Sequence, residues 1–249
     1  MSLPFVHINA VPPLPPTATF DEKLTRGREV LIAVLATYEP EQVAVAFTGG
    51  KDSAVALAMW RDTLALDGSS PLRAVSIDTG LKFPQTLEFR DRLCADWNVE
   101  LTIARPDVDL STYPVAQDKL TCCRDLKVTP LMRALRETNT RVLISGIRRD
   151  EHPSRASRPY AEFCPATDPE NGSHPEHWQV NPLLDWSEMD VWAHVTAESL
   201  PYCELYHEGY RSLGCIPCTR PTGPEGSERA GRDPEKERQL ESLKALGYF

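Results

Sequence analysis

From Thr19 to Ser145 helix-like and strand-like stretches alternate, and that alternation most limits the folds open to this chain. Thr19-Phe20-Asp21-Glu22 has the form of a capping box, and the segment on to about Tyr38 has the spacing of an amphipathic helix. Gln42 to Phe47 reads as a short apolar strand, followed by an alanine-rich helix to about Leu66. Leu72 to Ile77 is a second strand, and Pro84 to Trp97 a helix with proline in its first turn. Glu100 to Ala104 reads as a strand, Val128 to Glu137 as a helix and Arg141 to Ser145 as a strand. Strands joined through helices cannot pair as hairpins; they lie parallel, with helices crossing over the faces of the sheet. The expected fold is α/β, a doubly wound, mostly parallel sheet flanked by helices. Ligands of such sheets bind beyond the carboxyl ends of the strands, so loops 48–53, 78–80 and 146–150 are expected to converge.

The flanks differ in character. Residues 1–18, with Pro12, Pro13, Pro15 and Pro16, read as a proline-rich arm ahead of a main domain over 19–232. After Asp150 the chain becomes loop-rich, with Pro153, Pro159, Pro165, Pro169, Pro175 and an Asn171-Gly172 turn, until Ser187-Glu188-Met189-Asp190 opens another helix. Asp233-Pro234 starts a C-terminal helix and tail over 233–249, whose Glu235, Lys236, Glu237, Arg238 and Lys244 read as a solvated charged face. A net charge of −9 argues against nonspecific duplex binding. No apolar run reaches the length of a membrane span, and no charged-then-apolar leader is read. The seven cysteines are not spaced as a secreted disulfide framework, so a reducing cytoplasm is expected.

Two loops carry chemistry. In Thr48-Gly49-Gly50-Lys51-Asp52-Ser53 the glycines allow close approach of backbone to an anion, and the helix behind them supplies unpaired N–H groups. Lys51 adds a charge, and Thr48 and Ser53 add hydroxyls; the spacing is not that of a Walker-A loop. The same six residues would also serve as an ordinary capped strand-to-helix turn. The cysteines form two distant groups, the adjacent Cys122 and Cys123 and the later Cys215-Ile216-Pro217-Cys218. Four thiolates of this kind hold Zn²⁺ or an iron–sulfur cluster. Neighbouring side chains must bend to reach one ion, whereas a four-iron cube takes adjacent ligands more easily, so the pattern favours [4Fe–4S]. Zinc, or a set of buried or oxidised thiols, are the alternatives.

The glycine loop resembles the PP-loop, Ser-Gly-Gly-x-Asp-Ser, of the adenine nucleotide alpha hydrolases, with Thr48 in the first serine's place. Within that superfamily the chain resembles the phosphoadenylyl and adenylyl sulfate reductases, the sulfonucleotide reductases. The similar segments are Cys122-Cys123-Arg124-Asp125-Leu126-Lys127, Ser145-Gly146-Ile147-Arg148-Arg149-Asp150, Asn181-Pro182-Leu183-Leu184-Asp185-Trp186, Gly209-Tyr210-Arg211-Ser212-Leu213-Gly214-Cys215 and Glu228-Arg229-Ala230-Gly231-Arg232. The cysteine set is similar to that of the cluster-containing branch. Asp78-Thr79-Gly80-Leu81-Lys82-Phe83 and Arg148-Arg149-Asp150-Glu151 with Ser154-Arg155-Ala156 are also similar to the small subunit of sulfate adenylyltransferase, which carries no cluster.

The resemblance implies that residues 19–232 form a PP-loop sulfonucleotide-binding domain. Thr48, Gly49, Gly50, Lys51, Asp52 and Ser53 would hold the phosphate or sulfate end, Asp78 and Gly80 would line the nucleotide side, and Lys127, Arg148, Arg149, Arg229 and Arg232 would surround the anion. Cys122, Cys123, Cys215 and Cys218 would ligate a [4Fe–4S] cluster, with Lys127 near enough in sequence to tune it. Reductases of this family attack the sulfur with a cysteine in a Glu-Cys-Gly-Leu-His tail, and no cysteine follows Cys218 here. Cys203 is the first replacement to consider, ahead of Cys164 and Cys94; a partner's thiol is another. The implied activity is conversion of adenylyl sulfate, or its 3′-phosphorylated form, to sulfite and AMP, or its 3′-phosphorylated relative, with thioredoxin or another thiol donor as partner. The alternatives are ATP-dependent adenylation or sulfur transfer, and a non-catalytic nucleotide or cluster sensor. A homo-oligomer is compatible with each. His152 is a candidate ligand contact or charge sensor, whereas His174, His177 and His207 read as solvated loop residues.

Overall fold

A computed structural model describes residues 4–68, 70–166, 175–223, 225–245 and 247. Chain order is α1 (Val6–Asn9), α2 (Phe20–Leu35), β1 (Val43–Ala46), α3 (Lys51–Asp67), β2 (Arg73–Ile77), α4 (Pro84–Asp96), β3 (Glu100–Ala104), α5 (Lys119–Cys123), α6 (Thr129–Glu137) and β4 (Val142–Ile144). It continues with β5 (Ala161–Cys164), β6 (His177–Val180), α7 (Glu188–Ala197), α8 (Pro234–Arg238) and α9 (Leu240–Ala245). The six-stranded sheet has the order β3-β2-β1-β4-β6-β5 and is parallel except for β5 on β6. The expected α/β class holds, and the chain reverses direction across the sheet between β1 and β4. That is the switch point at which such sheets open a crevice.

Side chains alternate across the sheet with the two-residue period of a strand. Val43, Val45, Val142 and Ile144 join the large core under α2, α3 and α7, whereas Ala44, Ala46 and Leu143 face Leu131, Met132 and Leu135 of α6. The expected caps form. In α2, Thr19 Oγ1 accepts from the Glu22 amide at 3.3 Å while the Glu22 carboxylate accepts from the Thr19 amide at 2.7 Å, and Ser187 and Asp190 do the same for α7. Among the described residues no helix is long and apolar enough to cross a membrane.

The structure departs from the sequence reading after β3 and again after β4. The helix expected from Val128 is preceded by α5, which carries Cys122 and Cys123, and by a widened π-helical turn at Arg124–Val128. Pro130 has no N–H and its ring crowds the preceding turn, and a wider turn accommodates it. The segment taken as loop supplies β5 and β6, and His177, read as solvated, is buried on β6. The Asn171-Gly172 turn and His174 lie outside the described residues.

The N-terminal segment packs on the body. Phe5 is buried against Tyr38 and Trp178, and the Asn9 side chain bonds both backbone groups of Ala161, at 2.6 and 3.0 Å. Asn9 thus occupies hydrogen-bonding positions on the edge strand β5 that would otherwise be open. The last helices are a solvated face only in part: Glu235 and Arg238 are exposed, whereas Lys236 is 1% exposed and Leu240 and Leu243 pack on Cys123 and Leu120.

Candidate functional site

Loop 48–53 leaves β1 and turns at once into α3. The Thr48 amide donates to Ser53 Oγ at 3.2 Å, Ser53 Oγ donates to the Gly50 carbonyl at 2.8 Å, and Gly49 adopts φ +82°. The loop after β4 lies against it so closely that a Cβ on Gly146 would stand 2.7 Å from the Asp52 backbone. Beyond these two strand ends opens a cavity lined by Thr48, Gly50, Asp52 and Ser53, by Gly146 and Ile147, and by Tyr206 and Ser212 to Gly214. Its cationic walls are Lys82, Lys127, Arg155, Arg229 and Arg232. The Arg232 guanidinium lies across Gly214, where a Cβ would meet its Nη1 at 2.2 Å. Its buried Nε has no hydrogen-bond partner, and its closest bond is a 3.4 Å contact from Nη1 to Thr219. A buried guanidinium left this short of acceptors is a place for an anionic oxygen.

Several residues expected to face the anion do otherwise. Lys51 is buried, with its ammonium on Glu228, Asp52 (3.1 Å) and the Arg211 carbonyl. Arg148, at 0% exposure, is ringed by Asp52 (2.6 Å), Asp150 and Glu228. Neither cation lines the cavity; each is paired with Asp52 and Glu228 and so ties the glycine loop to the segment that carries Glu228. Burial alone would raise the Asp52 carboxyl, but Arg148 and Lys51 hold it below the ordinary carboxylate range. Arg149 pairs with Asp185 and donates to the Arg158 carbonyl at 2.9 Å, away from the cavity. Asp78 accepts from the Gly80 amide at 3.1 Å and faces Arg105 at 3.4 Å; neither Asp78 nor Gly80 lines the cavity. Residues that sequence reasoning missed are Lys82, Arg155, Glu151 and Tyr206. The first three lie inside the motifs quoted for the family resemblances. The Tyr206 hydroxyl accepts from the Lys51 amide at 2.8 Å and so occupies the first turn of α3. His152 accepts from the Ser154 amide at 3.1 Å, beside the cavity wall instead of on it.

The distant cysteines do come together. Cys122, Cys123, Cys215 and Cys218 all line a second, smaller cavity with Leu81, Leu126, Lys127 and Lys236. The Ile216 amide donates to the Leu81 carbonyl at 2.8 Å, which pins the second cysteine pair to the loop after β2. Burial would raise the Cys215 thiol, but the ammonium groups of Lys127, Lys82 and Lys236 and a 3.3 Å contact with Thr79 Oγ1 bring it down to about 6. Burial pushes Cys122 and Cys218 up instead. Among the described residues no three His, Cys, Asp or Glu side chains stand close enough to hold a single metal ion. What the thiols surround is a cavity, and its donor set, four sulfurs with Lys127 and Lys236 beside them, suits a polynuclear anionic thiolate cluster. Lys127 lines both cavities.

The remaining cysteines lie elsewhere. Cys203 is 0% exposed within the main core, its thiol raised by burial, and it does not line the cavity. Its expected role as nucleophile does not fit that placement, since an attacking sulfur must reach the ligand as a thiolate. Cys94 and Cys164 are pushed up to about 11 by burial and also lie off the cavity.

Residues 42–221, from the entry to β1 through the second cysteine pair, match the model of the phosphoadenosine phosphosulfate reductase domain. The chain belongs to that family. It is 35% identical over 169 residues to adenosine 5′-phosphosulfate reductase of Neisseria meningitidis serogroup B, an alignment covering 63% of this chain and 65% of that protein. It is 39% identical over 166 residues to the protein of the same name from Deinococcus radiodurans, covering 64% and 60%. The chain thus spans just under two thirds of the length of these curated relatives. Phosphoadenylyl-sulfate reductase from Candida auris, solved as a phosphate complex, superposes with a TM-score of 0.61 at 22% identity, covering 81% of this chain and 96% of that one. For a member of the phosphoadenosine phosphosulfate reductase family, the matched span holds the glycine loop and all four clustered cysteines. Glu228, Arg229 and Arg232 lie beyond it.

Proposed function

We propose that the chain is a sulfonucleotide reductase of sulfur assimilation, acting in the cytoplasm on adenylyl sulfate or its 3′-phosphorylated form. The observation that carries this reading is the cavity at the β1/β4 switch point, where the glycine loop faces Lys82, Lys127, Arg155, Arg229 and Arg232. Thr48, Gly50 and Ser53 offer amides and hydroxyls to the anionic end, and the guanidinium groups neutralise and orient the sulfate and phosphate oxygens. Cys122, Cys123, Cys215 and Cys218 are the residues that would hold a [4Fe–4S] cluster. Bound there, a cluster would supply a charged, polarisable centre near Lys127, which lines both cavities.

The reaction balances as two successive displacements at sulfur. A thiolate attacks the sulfate sulfur; an S–S bond forms, the S–O bond to phosphate breaks, and AMP leaves with the bonding pair. A second thiol then attacks the first thiol's own sulfur in the S-sulfo adduct; a disulfide forms, the S–S bond to the sulfonate breaks and sulfite leaves with the bonding pair, so two thiols are oxidised for each sulfate group reduced. Cys94, Cys164 and Cys203 all lie off the cavity, so the thiols come from outside its lining, from thioredoxin or another dithiol donor.

Anaerobically purified protein is incubated with adenylyl sulfate plus reduced thioredoxin, and separately with ATP, while sulfite, AMP and pyrophosphate are measured. Sulfite and AMP in equal amounts support the reading, and Cys203→Ala is expected to keep that activity. Pyrophosphate without sulfite overturns it in favour of adenylation, and tight binding without turnover overturns it in favour of a sensor. Iron and sulfide content and visible absorbance, lost in Cys122→Ser, test the cluster separately.

A further inference from the structure

The cavity holds a negative charge of its own. Glu151 lines it between two of its arginines: Oε1 accepts from Arg229 Nη1 at 2.5 Å and Oε2 accepts from Arg155 Nη1. Arg229 is held from its other side by Glu237, through Nε at 2.6 Å and Nη2 at 2.8 Å. Burial would raise the Glu151 carboxyl, but Arg155, Arg229 and Arg148 hold it far below the ordinary range, so it stays ionised throughout the neutral region. Its side chain is 11% exposed, and a charge so little solvated acts strongly on other charges in the same cavity.

We propose that Glu151 is a specificity-determining residue, a resident carboxylate that limits how much negative charge the cavity accepts and so selects the sulfonucleotide without a 3′-phosphate. The proposal rests on the reading of the cavity as a sulfonucleotide site. A fixed charge penalises ligands in proportion to their own charge, and a 3′-phosphate adds nearly two negative charges to an adenosine ester that already carries two. Of the cavity's cations, Arg155 and Arg229 are partly spent on Glu151, and Arg229 also on Glu237. Arg232 has no carboxylate within 4 Å among the described residues, which leaves it to the first anionic group that enters.

The test measures binding of AMP and of adenosine 3′,5′-bisphosphate by calorimetry, to the wild type, Glu151→Gln and Glu151→Asp. The wild type is expected to prefer AMP. Glu151→Gln keeps an acceptor for both arginines but removes the charge, and is expected to move the ratio toward the bisphosphate by about tenfold. Glu151→Asp, still charged, keeps the wild-type ratio. A general loosening of the site weakens both ligands and leaves the ratio alone. An unchanged ratio in Glu151→Gln overturns the proposal, and so does a wild type that binds the bisphosphate at least as tightly as AMP. A wild type that binds neither nucleotide overturns the sulfonucleotide reading itself, and this proposal with it.

Discussion

Arg148 gathers carboxylates from three stretches of chain, Asp52, Asp150 and Glu228, and none of its guanidinium is exposed. Removing Arg148 leaves the nearly buried Glu228 and the partly buried Asp52 with Lys51 as their remaining counter-charge. Arg148→Met is expected to lower the free energy of unfolding by about 3–5 kcal/mol. Glu228→Gln should cost less, because the amide oxygen still accepts from Lys51. Urea unfolding of the two variants checks the order. His194 behaves differently: it is buried between Phe20 and Trp186, and burial lowers its pKa. The unfolded chain, with an imidazole pKa of about 6.5, therefore takes up the proton first as pH falls. The stability that His194 contributes is complete above that value and is lost as pH drops through the lower folded pKa. His194→Phe should flatten the pH dependence of the unfolding midpoint between about pH 7 and 5. At this scale the sequence revealed which residues are charged but not their partners. Arg148 looked like an anion ligand because it follows a strand, yet its carboxylate Glu228 lies 80 positions further along. Cys203 was chosen for nearness along the chain, and three-dimensional packing put it in the core.

Elements were legible where their own periodicity or caps defined them. The helices opened by Thr19 and Ser187 form with the expected reciprocal bonds, and the four strands read from apolar runs all form. Strands β5 and β6 escaped notice because each is four residues long and set among prolines, and β6 buries the polar His177 and Gln179. Their pairing is decided by neighbours in space, β4 and the Asn9 side chain, which no local pattern announces. Helices α8 and α9 show the same limit. Their charged composition suggested a wet face, yet they close over Cys123 with Leu240 and Leu243 and carry Lys236 to the thiols. Leu243→Ala should therefore destabilise the protein by about 2–5 kcal/mol, as measured by denaturant unfolding, despite its place near the end of the chain.

Across the whole molecule, the order of strands puts the glycine loop and the loop after β4 side by side, and Tyr206 and Glu228, from later in the chain, bond to residues of both. The anion cavity and the thiol cavity are adjacent compartments with a common partition, built from Lys127 and from the bridge between Lys82 and Cys215. One ammonium in that partition answers to the charge on both sides. An attempt to graft the sulfur-lined compartment onto another nucleotide-binding scaffold, or to strip it from this one, would therefore also have to rebalance the nucleotide side. The two cannot be exchanged as separate parts.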